Sequence, residues 1–469
     1  MVKIHFFDYR AVEWQRGFER VPEAAVECDG NPLLVSDHPA DGGRMSMYGS
    51  VIRRPDDHLW QMWYTSGGAR GEPLTLSYAE SDDGVDWRRP SLPDGPRPGT
   101  HIVFDRGPHG ACVLCDEAET RPGWRYKMLA GAAPSHRISA FRSPDGVHWV
   151  DAAENPIIGI NPDCPMSVHR AADGRYVLYC RPQFGDRRVS RRESWDFVHW
   201  TEPRIVIDQE PADPPQTQFY GLGAVPYGPY EIGSLWVYHT LEEDLGFNKM
   251  RGHQQPELAY SRSGYAWHRL EVGFPLISLG EPGSWKAGNI QPASAPVFLE
   301  DEIRFYYAAA RMEHGNMSGY AGPEPGWGLG FVSLRPDRFV GMHTREEGRL
   351  LTRPIRVERD AFHVNAAVSP GGAVRVELRA VDGTPVPGFG LADCRPITGD
   401  RLDHVVRWEG DPDRSSLPYT ELRLLVEARN ATVYALGAGT VSEWRDYRAF
   451  RLPDFITAEQ RRAHGMWPD

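Results

Sequence analysis

Carboxyl side chains recur in this sequence beside alternating apolar runs that read as strands. Asp37 and Asp41 stand in "SDHPADGG" ahead of "RMSMYGSVIRR", and Asp116 follows the run "ACVLC". Asp163 lies in "NPDCP" ahead of "MSVHR", Glu210 and Asp213 in "DQEPADPPQ" ahead of "TQFYGLGAV", and Glu281 in a loop with Trp285. Two carboxyl groups held close together raise one another's pKa, so one stays protonated near neutral pH while the other is ionised. Such a pair can protonate a leaving group and supply or activate a nucleophile. Acids with that role belong at the starts of strands lining a concave site. Asp83, Asp145 and Asp196 sit in tight turns and read as turn formers.

Those turns also show what positions the acids. "SDDGVDW" at Ser81 returns as "SPDGVHW" at Ser143, "SWDFVHW" at Ser194 and, weakened, "SRSGYAW" at Ser261. Upstream of each lie two or three strand-like runs, such as "LWQMWYTSG" and "PLTLSYAES". The unit is strand, turn, strand, turn, strand, Asp-Gly turn and Trp, over about 50 to 65 residues. Small antiparallel sheets repeated at that period indicate a β-propeller. A fifth unit, "APVFLEDEIRFYYAAAR" and "WGLGFVSLRPDRFVGM", keeps the grammar, with Asp337 and Phe339 at its turn. We therefore expect an all-β protein with a five-bladed propeller and N-terminal extension over 1–342. The alternative is a β-sandwich with fortuitous Asp-Gly turns.

After Met342, period-two alternation in "RVERDAFHVNAAV" and "YTELRLLVEAR" predicts an antiparallel β-sandwich over 343–469, with Trp408 as its anchor and a short helix and loose end in the tail. The six cysteines form no framework. Cys112 and Cys115 are spaced C-x-x-C, but strand residues three apart point to opposite faces, so they read as small core residues.

The Asp-Gly-x-x-Trp units, five in number and followed by a sandwich, resemble the glycoside hydrolases of the invertase, levansucrase and arabinanase superfamily. The stretch "VRVELRAVDGTPVPGFGLADCRPITGDRLDHVVRWEG" is similar to the end domain of uncharacterised bacterial members. The resemblance implies three carboxylates where the first strands of the early blades enter a funnel. Invertase-like members carry W-M-N-D-P-N, R-D-P and E-C-P there. The first two have no counterpart here, and Asp163-Cys164-Pro165 resembles the third with Asp for Glu. The resemblance implies a glycosidase, Asp163 its proton donor, with Asp116 and Asp41 as partners and Glu210 and Asp213 as further candidates. The alternative is a non-catalytic propeller that binds carbohydrate or protein.

Saccharide recognition needs aromatic platforms and planar hydrogen-bonding groups. Tyr220, His239, Trp285 and His314 stand where they could face a funnel. Arg181, following "RYVLYC", is placed to bind an anionic or hydroxyl-rich substrate, whereas "GDRRVSRRES" reads as a solvated strand. Glu242 to Asp244 mark a long loop that could roof the funnel.

Composition narrows the partners. The 469 residues carry a net charge of -12, which argues against nucleic acid. Hydrophobic residues at 41% support a folded core, and Gly 48 with Pro 40 suit a turn-rich β protein. No run approaches the roughly 20 apolar residues of a membrane helix, and the N-terminus lacks a signal peptide's apolar region, so the chain reads as cytoplasmic. The expected partner is a small oligosaccharide or glycoside, with no membrane, no cofactor and no assigned metal, and with room for a homo-oligomer.

Overall fold

In each recurring turn a serine folds the chain back on itself. Ser143 Oγ accepts from the Gly146 N–H at 2.9 Å, while Asp145 Oδ1 accepts from the Val147 and His148 N–H groups, both at 2.9 Å. Ser81 with Asp83 and Ser194 with Asp196 repeat the set, and Ser261 keeps its part toward Gly264. Gly146 has φ +82, and a Cβ there would meet Trp63 Cζ2 at 2.6 Å. That close approach lets Trp63 Nε1 donate to Gly146 O at 2.7 Å. Tyr306 and Tyr179, which like Trp63 are fourth in their strands, donate in the same way to Gly84 O at 2.7 Å and Gly264 O at 3.1 Å. The corresponding residue ahead of the third turn, Leu129, has no donor. There the glycine is replaced by Phe197, which shares an apolar cluster with Leu129.

The computed structural model describes residues 3–68, 73–240, 251–316, 322, 324–357, 361–413, 417, 421–437 and 439–441. They fall into two units, Ala24–Arg335 on one side and Met1–Glu23 with Pro336–Asp469 on the other. The protein is all-β, and the described helical turns are the short 3₁₀ segments Pro39–Asp41 and His314–Asn316. Among the described residues no helix is long and apolar enough to cross a membrane.

In Ala24–Arg335, three four-stranded antiparallel sheets follow one another. They begin with the strands Met45–Arg53, His109–Cys115 and Ser167–Arg170. Two further meanders begin at Thr217–Tyr227 and Asn289–Pro292, joined into one ten-stranded sheet by a parallel pairing of Gln254 with Asn289. The outer strands of the last meander come from far upstream, since Val26–Glu27 and Leu34–Val35 pair with Trp327–Leu334. Apolar clusters lie between successive sheets, for example Trp63 and Tyr78 with Val113 and Met128, or Met62 and Trp60 with Tyr306 and Trp327. Cys112, Cys164 and Cys180 are buried in one such cluster, and all six cysteines are free thiols.

The sequence reading differs from the structure at the unit boundary. The segment after Arg335 does not complete the last meander. Asp337 instead binds Lys3 Nζ at 2.6 Å and His5 Nε2 at 2.8 Å, and Val340–Thr352 pairs with Val12–Arg16 and Glu19–Pro22. Lys3–His5, Val12–Arg16 and Glu19–Pro22 thus belong to a nine-stranded sheet whose long members are His363–Arg379 and Glu421–Gly437. Trp408 is buried in this unit against Phe362 and Phe389, its Nε1 donating to Val376 O at 3.0 Å. The expected C-terminal helix lies outside the described residues.

One buried group has a measurable pH consequence. His169 lies against Tyr179 with burial holding its pKa near about 4, although Glu231 opposes the shift. Unfolded chains protonate histidine near pH 6.5, so between about 6.5 and 4 the unfolded state binds the extra proton and stability falls as pH falls. We expect a loss on the order of 3 kcal/mol across that window. Chemical denaturation of His169→Gln, compared with the parent at pH 7 and pH 4.5, should show a smaller drop.

Candidate functional site

Three first strands of Ala24–Arg335 carry a ring residue followed by glycine near their starts: Tyr48-Gly49, His109-Gly110 and Tyr220-Gly221. Pairing loses register at each place, between Ser46 and Ser50, His109 and Cys112, and Phe219 and Gly221. A bulge of this kind re-aims side chains, and here the three rings meet. Gly110 shows why glycine is needed. Its φ is +65, and a Cβ would stand 2.1 Å from the carbonyl oxygen of Cys164, just ahead of the next sheet's first strand. Gly110→Ala should therefore cost roughly 2–4 kcal/mol, read as a lower urea midpoint.

Tyr48 OH donates to Tyr220 OH at 3.2 Å, and Tyr220 OH is 3.0 Å from His314 Nε2. Trp236 stacks on Tyr220, with ring centroids 6.2 Å apart. Two guanidinium groups lie over Tyr220, Arg181 at 4.6 Å and Arg187 at 5.2 Å, and Arg187 also faces Tyr238 at 4.9 Å. Asp163 closes the group. Its Oδ2 accepts from Arg181 Nη1 at 2.8 Å and its Oδ1 is 4.0 Å from His109 Nε2. Its backbone is left-handed at φ +42, with its N–H donated to Asn161 Oδ1 at 3.1 Å. Non-glycine residues in that region are uncommon and are worth relating to function. Burial drives the His109 pKa well below its ordinary value, with Arg44 and Arg181 adding to the effect and Asp163 opposing it. The neutral imidazole can then accept or donate a hydrogen bond. Burial likewise pushes the Tyr48 phenol up, so it stays protonated as a donor.

Of the residues expected from sequence, the structure brings Asp163, Arg181, Tyr220 and His314 together. Asp41 is fully buried elsewhere, held by Tyr64 OH and His101 Nε2, each at 2.9 Å, and by Arg89. Asp116 lies at the opposite end of His109–Cys115 from His109, bonded to Lys127 and Arg170 at 2.9 Å and Tyr176 OH at 2.6 Å. Burial alone would raise its carboxyl, but these partners hold it below the ordinary value. Asp213 pairs with Arg269, which also grips Glu257, so it serves a buried ion network. Glu210 is exposed in the preceding turn and Glu281 is exposed as well. His239 lies tilted against His253, ring centroids 5.2 Å apart, and Trp285 stacks on Tyr307 at 5.7 Å. Glu242 to Asp244 lie outside the described residues.

Sequence reasoning missed Arg44, Tyr48, His109 and Arg187. The signal that could have found two of them is the ring-glycine pair at the head of successive first strands. Nothing local distinguishes Arg187 from its neighbours in "DRRVSRR". Among the described residues no three His, Cys, Asp or Glu side chains are grouped to hold a metal ion.

No protein-family model and no curated protein matches the sequence. Among solved structures, an N-acetylgalactosamine deacetylase from F. plautii in complex with blood group B trisaccharide is 16% identical, with 69% of this chain and 97% of that one covered at TM-score 0.45. A glycosyl hydrolase from Bacteroides ovatus is 15% identical, with 68% and 95% covered at TM-score 0.44. A structure from the GH130 family of mannoside phosphorylases, described as containing glycoside hydrolases that target β-1,2 mannosidic linkages, is 16% identical, with 67% and 94% covered at TM-score 0.44. At these values the likenesses assign neither family nor function.

Proposed function

We propose that Ala24–Arg335 forms a five-bladed propeller, that the strands after it form a β-sandwich, and that the protein is a glycoside hydrolase or transglycosidase. A small oligosaccharide would bind where the first strands begin. The observation that carries this reading is the meeting of Asp163, Arg181, Tyr48, Tyr220 and His314 at that one end. It combines donors and acceptors for a sugar's hydroxyls with a carboxyl group able to exchange a proton. Arg181 fixes the orientation of Asp163, and the left-handed backbone turns it toward His109.

A second reading is favoured by one observation. Glycosidic hydrolysis ordinarily uses two carboxyl groups, and among the described carboxylates only Asp163 pairs with Arg44, Arg181 or Arg187. A glycan-binding platform without turnover needs no second one. Incubation with aryl glycosides and oligosaccharides, followed by chromatography of products, separates the two. Product release that depends on Asp163 supports the hydrolase; saturable binding with no product supports the platform.

A further inference from the structure

Positive charge is concentrated at one point of a chain whose net charge is -12. Arg181 and Arg187 lie over Tyr220, and Arg44 is close enough to Tyr48 and Tyr220 to interact electrostatically with both. Elsewhere, buried Arg269 has Asp213 and Glu257, and buried Arg191 has Glu193 and Glu231, while buried Arg192 bonds the Thr201 carbonyl. Here Asp163 pairs with Arg181, and no described carboxylate pairs with Arg44 or Arg187. Arg187 makes its recorded side-chain bond to an amide, Gln218 Oε1, at 3.0 Å.

Several polar atoms of the cluster also lack partners. Arg181 Nε and Nη2, Arg44 Nε and both amide atoms of Gln254 are buried without a hydrogen bond among the described residues. Gln254 stands opposite Tyr238 in the strand pairing, and the Tyr238 ring faces Arg187. Arg181 is 1% exposed and Gln254 is 0% exposed. Unpaired buried charge is costly, and burial lowers the Arg44 pKa for that reason. A ligand oxyanion would supply the missing countercharge, and planar guanidinium forks match a carboxylate in shape as well as sign.

Resting on the glycan reading above, we infer that the saccharide taken by this site carries a carboxylate, as a uronate does, seated toward Arg44, Arg181 and Arg187. Tyr48, His314 and Gln254 would serve the hydroxyls of its sugar ring.

Calorimetry on the full chain tests this with matched oligosaccharides: glucuronate beside glucose, galacturonate beside galactose, mannuronate beside mannose. Sodium phosphate and sodium acetate are titrated alone. The acidic member of one pair should bind at least about tenfold more tightly than its neutral partner, and less tightly as salt rises. Arg44→Met and Arg187→Met should each weaken the acidic ligand roughly ten- to a hundredfold and so narrow or abolish its advantage over the neutral partner. Equal affinity within every pair would overturn the inference and leave the glycan reading standing. Phosphate binding that depends on the same arginines, with no preference among sugars, would also overturn it. Binding of no saccharide would remove the glycan reading as well. Should the variants fail to fold, the matched pairs and salt dependence of the unaltered protein decide the matter.

Discussion

Asp163→Asn should keep its fold and lose about 10² to 10⁴-fold in turnover on a natural glycoside. Asparagine tolerates the left-handed backbone that Asp163 adopts at φ +42. Its amide oxygen can still accept from Arg181 Nη1, so the pairing that orients the side chain survives in neutral form. What disappears is the carboxyl's capacity to exchange a proton and its charge beside Arg181. Melting temperature should therefore move little while turnover collapses. A substrate with a good leaving group separates the possible roles, because departure then needs no protonation. Recovery on such a substrate identifies Asp163 as the proton donor; equal loss on both identifies it as a base, nucleophile or electrostatic partner. Unchanged turnover on both would make Asp163 a turn residue and overturn the hydrolase reading of this site.

Removal of the first 35 residues should abolish cooperative folding. That stretch supplies Lys3–His5, Val12–Arg16 and Glu19–Pro22 to the nine-stranded sheet, and Val26–Glu27 with Leu34–Val35 to the edge of Trp327–Leu334. Its loss exposes long apolar edges, which pair with other chains and aggregate. Removal of residues 1–23 alone is the informative comparison. It strips strands from one unit only, so calorimetric melting should retain a transition for Ala24–Arg335 and lose or lower the other. Two chains that melt like the parent would show these strands to be dispensable.

The recurrent turns are legible in the chain because their bonds are local: Ser143 and Asp145 satisfy N–H groups no more than three residues away. The strands are legible for a similar reason, since alternation follows from the pleat. Asp163 and Arg181 could be singled out from their places beside strands. Their meeting with Tyr48 and His314 could not, because those side chains come from first strands and a 3₁₀ turn far apart in sequence. Asp116 and Asp163 both flank a strand, yet the two lie toward opposite ends of the first strands, and only pairing with Lys127 and Arg170 reveals it. The closing strands are the clearest case. Val26–Glu27 and Leu34–Val35 find Trp327–Leu334 some 300 residues away. A strand's local pattern specifies that it needs a partner. Which edge it takes depends on the competing edges left open once the other sheets have formed, and that is a property of the folded chain.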